Sequence, residues 1–246
     1  MKNFNPIATD YSHVISSLPK EYIYLMVSKF NVKQSSRVLD IGCGSGTLTF
    51  LLSKYVNEIE AIDCSSNMIG MAKAKDYQNK INWICSDISR LVLPNSYYQL
   101  IVSYEAFHLF PSQEMVEANI YTSLLKNGYF AIGYSVYCWE EKANKLIGDV
   151  LSEYKIHGFT PYFQSCSEYH SIFNNGWNID AVTSQERWES KQIAKFIVST
   201  SLFLNESKST RFKIEQDLET ELSSNIGETI IGPSSYYLKY YRKNDK

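Results

Sequence analysis

A short apolar run leads straight into a glycine-rich turn at residues 38–47, where the chain reads VLDIGCGSGT. Residues 37–41 predict a buried strand of a parallel sheet, and residues 46–55 predict the helix that follows. Glycines at such a turn allow a tight bend and let the backbone approach a ligand closely. Their Gly-x-Gly-x-Gly spacing differs from that of dinucleotide sites, and no Gly-Lys-Ser/Thr follows as in a P-loop. The turn therefore indicates a nucleoside site of another kind.

Strands and helices alternate on both sides of this turn. Further strands are predicted at 58–62, 81–85, 100–103 and 129–135, and helices at 19–30, 65–75 and 112–125. Ser65 is the expected N-cap of its helix, and Asn127-Gly128 is the expected C-cap of the last one. This alternation predicts an open, mostly parallel sheet with helices on both faces.

The alternation breaks after Ser135. Residues 136–165 are rich in aromatic side chains and predict a helical insertion that forms a lid. A helix at 167–174, a strand at 178–188 and helices at 191–204 and 210–222 are predicted next. Residues 236–242 alternate like an exposed or edge strand. We expect one domain over 1–246, with residues 1–30 as an N-terminal helical segment over the cofactor.

Composition limits the class of partner. The chain has 24 basic and 26 acidic residues, a net charge of -2 that disfavours a nucleic-acid partner. No apolar run approaches the roughly 20 residues that span a bilayer, so no membrane partner is expected. The cysteines lack C-x-x-C spacing, which favours reduced thiols, a cytoplasmic location and no metal site. They are Cys43, Cys64, Cys85, Cys138 and Cys166. Nothing in the composition specifies an oligomeric state.

The segment DIGCGSG at residues 40–46 resembles motif I of the class I S-adenosylmethionine-dependent methyltransferases. The similarity extends to Asp63, which lies 21 residues after Gly42, and to Asp87, which follows the third strand. It covers about residues 35–135. The resemblance implies a Rossmann-like three-layer αβα sandwich with a mostly parallel seven-stranded sheet and an antiparallel C-terminal strand. The later layout resembles the trans-aconitate methyltransferase-like branch, which acts on small molecules.

The resemblance also implies roles for individual residues. Asp63 would accept both ribose hydroxyls, Asp87 would contact the adenine amino group, and the backbone N–H of Ile88 would meet a ring nitrogen. Met68 would pack on the adenine face, and Tyr11 would offer a cation–π contact to the sulfonium. The expected S-adenosylmethionine contacts are Tyr11, Asp40, Gly42, Cys43, Gly44, Gly46, Asp63, Cys64, Met68, Asp87, Ile88 and Ser103. An N-terminal segment that merely packs is the alternative for Tyr11.

Methyl transfer from a sulfonium needs alignment and exclusion of water, and it requires no metal and no covalent intermediate. His108, after the fourth strand, is the candidate base because its ordinary pKa lies near neutrality. The alternative is a histidine that only packs there, and Glu105 is assigned no more than an orienting role. Tyr104, His108, Tyr137 and His157 are the expected substrate contacts. Aromatic lining predicts a planar or largely apolar acceptor, although the same residues could form the insertion's own core.

Three functions compete at this point. The first is methyl transfer to an N or O atom of a small organic molecule, and a protein or RNA acceptor is its variant. The second is binding of the adenosyl cofactor without methyl transfer, in a regulatory or assembly role. The third is a nicotinamide-dependent oxidoreductase, against which the glycine spacing argues.

Overall fold

The computed structural model describes residues 5, 8, 18–157, 159 and 176–244. The strands are β1 (Arg37–Ile41), β2 (Glu58–Asp63), β3 (Ile81–Cys85), β4 (Tyr98–Tyr104), β5 (Leu124–Tyr137), β6 (Asn178–Glu189) and β7 (Thr229–Arg242). The helices are α1 (Lys20–Lys29), α2 (Thr47–Leu52), α3 (Ser66–Lys75), α4 (Gln113–Ser123), α5 (Glu141–Glu153), α6 (Ser190–Val198) and α7 (Lys208–Asn225). None of the helices in these ranges has the length and apolar character needed to cross a bilayer.

The strands form one seven-stranded sheet in the order β3-β2-β1-β4-β5-β7-β6. β1 to β5 are mutually parallel, and β7 runs antiparallel to both of its neighbours. The predicted fold class is confirmed, because the sheet is mostly parallel and its C-terminal strand is antiparallel. Helices α1, α2 and α3 pack on one face, and α4 packs on the other.

The C-terminal strand is not at the edge of the sheet, so the prediction of an exposed or edge strand was wrong. β7 lies between β5 and β6, and β6 is the outer strand. On β7 every second residue is buried, including Tyr236 and Leu238, which join the core beneath α1. An alternating pattern reports which face of a strand is buried but not which strands lie beside it.

The predicted C-cap at Asn127-Gly128 was also wrong. Helix α4 ends at Ser123, and Leu124 already has extended backbone angles. Asn127 has φ 62°, and the pairing of β5 with β4 shifts register in this region. A dipeptide that tolerates positive φ suits a strand irregularity as well as a helix end.

A third apolar cluster lies in the C-terminal half and consists mainly of side chains from α5, α6 and α7. In α5 the buried residues are Ala143, Ile147, Val150 and Leu151, which share one helical face. The predicted insertion at 136–165 is helical from 141 to 153, while β5 continues through Tyr137. Trp139 is buried in this cluster and Tyr137 packs against it, so these aromatics contribute to a core. The predicted helix at 167–174 and Cys166 lie outside the described residues.

Candidate active site

The glycine-rich turn lies between β1 and α2, at the carboxyl edge of the sheet. The N–H groups of Gly42 and Cys43 both donate to the carbonyl of Ile62, at 2.7 and 3.0 Å, which ties the turn to β2. Gly42, Gly44 and Gly46 all have positive φ, at 74°, 55° and 90°. An L side chain rarely adopts these angles, so glycine is required for this backbone path.

The three glycines meet different surroundings. A Cβ on Gly42 would lie 2.3 Å from the Cβ of Ala106, and one on Gly46 would lie 2.6 Å from the Trp83 ring. A Cβ on Gly44 would meet only the Met68 sulfur, at 4.0 Å. The outer glycines therefore allow close packing within the protein, whereas the middle one has only the Met68 sulfur near it among the described residues.

Asp63 ends β2 and binds the turn directly. Its Oδ2 accepts a hydrogen bond from the Gly44 N–H at 2.9 Å, and its Oδ1 accepts one from the Ser65 N–H at 2.8 Å. Burial raises the pKa of Asp63, although these backbone hydrogen bonds act to lower it. The structure thus brings the middle glycine and the predicted ribose ligand into contact.

Asp40 lies just before the turn and is almost completely buried. Thr49 donates a hydrogen bond to its Oδ2 at 2.6 Å, while its Oδ1 has no partner among the described residues. Burial raises the pKa of Asp40 to about 7. The hydroxyl of Ser103, on the neighbouring strand β4, is also buried without a partner in the described part of the chain.

Asp87 follows β3, next to Asp63 at the same edge. The Ser86 N–H donates to the Asp63 carbonyl at 2.9 Å, which joins the two strand ends. Ser89 donates to the Asp87 Oδ1 from its N–H at 3.0 Å and from its hydroxyl at 2.8 Å. Burial acts to raise the pKa of Asp87, but its hydrogen bonds dominate and the pKa is lowered.

The remaining predicted cofactor contacts lie around these groups. Ile88 and Met68 are buried, at 1% and 2% exposure. Burial raises the pKa of the Cys43 thiol well above its usual value and that of Cys64 to about 11, so both stay protonated at neutral pH. Tyr11 lies outside the described residues.

Asn5, from the N-terminal segment, contacts the start of α3. Its side-chain oxygen accepts hydrogen bonds from the Ser65 hydroxyl at 2.6 Å and from the Asn67 N–H at 3.1 Å. The Ser65 hydroxyl in turn accepts from the Met68 N–H, as an N-cap does. This confirms Ser65 as the N-cap, and it places one residue of the N-terminal segment at the start of α3, where the Ser65 N–H binds Asp63.

The predicted substrate residues occupy three different places. His108 is half-buried on a short 3-10 turn, Phe107–Leu109, that follows β4. His157 is exposed beyond the end of α5. Tyr104 and Tyr137 lie on β4 and β5 beside Glu105. Of the four, only Tyr104 and Tyr137 are placed together.

Glu105 makes contacts that the sequence analysis missed. Its Oε1 accepts hydrogen bonds from the Ser135 N–H at 2.5 Å and the Ser135 hydroxyl at 2.6 Å. Burial raises the pKa of Glu105 to about 7, and the residue has φ 52°. No local sequence pattern joins it to Ser135, because the contact depends on how β4 and β5 pair.

Residues 39–132 match the family model described as a methyltransferase domain. The matched part runs from β1 into β5 and contains the glycine turn, so this part of the chain is similar to methyltransferase domains. The match ends at Ile132, before the C-terminal half of the chain, and it does not single out the trans-aconitate branch.

Two curated relatives carry activities in their names. A malonyl-[acyl-carrier protein] O-methyltransferase of Priestia megaterium is 35% identical over 132 residues, covering 52% of this chain and 47% of that protein. A ubiquinone biosynthesis O-methyltransferase of Coxiella burnetii is 29% identical over 118 residues, covering 47% of this chain and 48% of that protein. The chain thus spans about half the length of the curated relatives it matches.

Two solved structures show the same fold at low sequence identity. A protein from Anaeromyxobacter dehalogenans, assigned as a type II methyltransferase, has a TM-score of 0.66 at 13% identity, covering 94% of this chain and 99% of that chain. The phosphoethanolamine N-methyltransferase 2 of Haemonchus contortus, solved with S-adenosylhomocysteine, has a TM-score of 0.56 at 13% identity, covering 100% of this chain and 61% of that chain.

Proposed function

We propose that this chain transfers a methyl group from S-adenosylmethionine to an N or O atom of a small organic molecule. The observation that carries the proposal is the 2.9 Å hydrogen bond from Gly44 to Asp63, at the glycine of the turn that the described residues crowd least. A carboxylate fixed beside an accessible backbone suits the two hydroxyls of a ribose. The family match supports the same chemistry.

The described residues fit the cofactor in charge and hydrogen bonding. Asp63 would hold the ribose hydroxyls with the lone pairs that its backbone contacts leave open. Asp87 and Ile88 would hold the adenine edge, with Met68 against its face. The free Oδ1 of Asp40 and the hydroxyl of Ser103 are buried groups in need of partners, and the ammonium group of the methionine part would supply donors to both.

When bound, S-adenosylmethionine supplies a methyl group already activated by a sulfonium. The protein's contribution is therefore to orient the acceptor and to keep water away. Phe107 and Phe110 are both buried, so the turn after β4 presents an apolar surface beside Gly42. His108 on that turn remains our candidate for removing a proton from the acceptor.

Titration calorimetry with S-adenosylhomocysteine tests the cofactor assignment. We expect saturable binding with one site per chain, and no heat with NAD at the same concentrations. Absence of S-adenosylhomocysteine binding at millimolar concentration would contradict the proposal, and saturable binding of NAD would favour an oxidoreductase.

Turnover distinguishes an enzyme from a cofactor-binding module. With methyl-labelled S-adenosylmethionine and a pool of small metabolites, we expect label in an organic product and release of S-adenosylhomocysteine. Cofactor binding without any labelled product would favour the binding-module alternative.

A further inference from the structure

Glu105 belongs to a buried polar group that the proposed cofactor contacts do not use. We call it the tyrosine–glutamate cluster, and its members are Tyr104, Glu105, Ser135, Tyr137, Glu186 and Tyr236. Strand pairing brings them together, since Ser135 lies opposite Tyr236 on β7 and Tyr236 lies opposite Val182 on β6. The cluster therefore joins four strands at the carboxyl end of β4.

The Glu105 carboxylate is held by one oxygen only. Both hydrogen bonds from Ser135 reach Oε1, and within the described residues Oε2 accepts none. Taken as a whole, the Glu105 residue is half-buried. Its φ of 52° is unusual for a residue other than glycine, and such strain is concentrated at functional sites.

A second carboxylate adds to the same negative charge. The Tyr236 hydroxyl donates to Glu186 Oε1, and the Ser184 hydroxyl donates to that oxygen at 3.3 Å. Burial is the main cause of the raised pKa of Tyr137, and the charges of Glu105 and Glu186 also raise it. Both charged groups that raise the pKa of this hydroxyl are carboxylates.

Two polar atoms in or beside the cluster lack partners among the described residues. They are the buried hydroxyl of Tyr104 and the indole nitrogen of Trp139, a residue with 6% exposure that stacks on Tyr137. Buried polar groups are normally hydrogen-bonded, so both atoms offer hydrogen-bonding capacity that a ligand can use. The Tyr104 hydroxyl can accept a hydrogen bond, and the indole N–H can donate one to an oxygen of the ligand.

Aromatic rings surround these groups. Tyr22 lies 6.0 Å from both Tyr104 and Tyr236, centroid to centroid, and Tyr137 lies 6.5 Å from Tyr236. Ring faces attract cations, most strongly where water is excluded. Rings together with carboxylates favour a cation over a neutral or anionic group.

The cluster also lies next to the glycine turn. Ala106 follows Glu105 directly, and it is the residue that a Cβ on Gly42 would strike. Only one peptide unit therefore separates the Glu105 backbone from a residue in contact with the proposed cofactor site. A group bound by Glu105 would lie at the boundary of that site.

We propose that the tyrosine–glutamate cluster is the acceptor subsite and that it selects an amine, which arrives as an ammonium ion. The inference rests on the proposed function and specifies its substrate class. Glu105 accepts an N–H hydrogen bond through Oε2, and the proton then moves to that oxygen. The electron pair of the N–H bond stays on nitrogen as the lone pair that methyl transfer needs. The raised pKa of Glu105 is consistent with a group that can take this proton.

Three probes of matched size test the charge preference: tyramine, tyrosol and 3-(4-hydroxyphenyl)propionate, which carry an ammonium, a hydroxyl and a carboxylate. We expect calorimetry on the protein saturated with S-adenosylhomocysteine to show tyramine binding at least tenfold tighter than tyrosol, and no binding of the carboxylate. Equal affinity for tyramine and tyrosol, or tightest binding of the carboxylate, would overturn the proposal.

Variants then assign the preference to Glu105. Glu105→Gln keeps the shape and removes the charge, and we expect it to weaken tyramine at least tenfold while changing tyrosol less than twofold. Glu60→Gln is the matched control, because Glu60 is also half-buried and its carboxylate also accepts side-chain hydrogen bonds, one of them from Tyr98. Unchanged tyramine affinity in folded Glu105→Gln would overturn the assignment.

The two proposals can fail separately. Normal S-adenosylhomocysteine binding with no preference for tyramine would reject the amine subsite alone. Absence of S-adenosylhomocysteine binding would reject the proposed function, and the three probes would then be compared on the protein alone. If Glu105→Gln does not fold, the comparison of the three probes on the unmodified chain still tests whether the subsite prefers an ammonium ion.

Discussion

The two halves of the sheet differ in strand length, and the difference follows their roles. β1 to β4 have five to seven residues, and their carboxyl ends lie close together around the glycine turn. β5, β6 and β7 have 12 to 14 residues. The long strands extend past that edge and carry Ser135, Glu186 and Tyr236. The short half thus forms the proposed cofactor site, and the long half forms the wall proposed for the acceptor.

The halves also differ in how far apart their contacting residues lie in the chain. Gly44 and Asp63 lie 19 residues apart in the chain, within the span of a recognisable motif. Glu105, Ser135 and Tyr236 meet only because β5 pairs with β4 on one side and with β7 on the other in one particular register. Evolution can therefore change the acceptor wall without changing the cofactor turn, as fold and function commonly separate.

The largest expected effect is on the free energy of unfolding, and it comes from a substitution in the C-terminal helical core, away from the proposed cofactor site. Ile147→Ala removes a fully buried side chain from the core of α5, α6 and α7. We expect the free energy of unfolding to fall by about 2–5 kcal/mol, because a cavity remains. Urea denaturation measures this, and calorimetry should show unchanged S-adenosylhomocysteine affinity. A loss of cofactor affinity in the folded variant would break the separation of the two halves.

Gly42→Ala tests the short half. The positive φ costs alanine about 1–2 kcal/mol, and the close approach of Ala106 costs about 1–3 kcal/mol more. We expect lower stability in urea together with loss of S-adenosylhomocysteine binding. Gly70→Ala is the control, since a Cβ there meets nothing within 4 Å and should leave both properties intact. Wild-type affinity in Gly42→Ala would show that the turn does not contact the cofactor.

Asp63→Ala should affect binding more than folding. Removal of a charged acceptor for two ribose hydroxyls is worth about 1.5–3 kcal/mol, so we expect S-adenosylhomocysteine to bind about 10-fold to 100-fold more weakly. Glu58→Ala, at the exposed start of the same strand, is the matched control. If both variants bind alike, Asp63 is not the ribose ligand.

A smaller effect is expected in the pH dependence of stability. Because the folded-state pKa of Glu105 is raised to about 7, the folded protein binds more protons than the unfolded chain between about pH 4.5 and 7. The contribution of Glu105 to stability therefore falls as pH rises through that window. Glu105→Gln should lose less stability than wild type between pH 5 and pH 8 in urea. An identical pH dependence would contradict the burial of this carboxylate.

Local chemistry explains what the sequence could predict. The bounds of β1 and β3, the N-cap Ser65 and the contact of the turn with Asp63 follow from short segments. Each depends on neighbours within about 20 residues, where propensity and spacing are informative.

The predictions were wrong where the structure depends on pairing between strands that lie far apart in the sequence. Asn127-Gly128 suits a helix end, but its backbone hydrogen bonds with Lys243, and the pairs of β5 with β4 on either side of it, place it in a strand. β7 has the pattern of an edge strand, yet β6 pairs on its outer side. Ser135 carries no motif, and only the course of β5 beside β4 brings it to Glu105.

The position of S-adenosylhomocysteine in a crystal structure of the complex tests the central claim most directly. We predict ribose hydroxyls within hydrogen-bond distance, about 3 Å, of Asp63, with the adenine between Met68 and Asp87 and the sulfur toward the Glu105 side. Binding away from Gly44, for example at the groove lined by Lys33, Arg37 and Tyr97 at the opposite edge of the sheet, would contradict it.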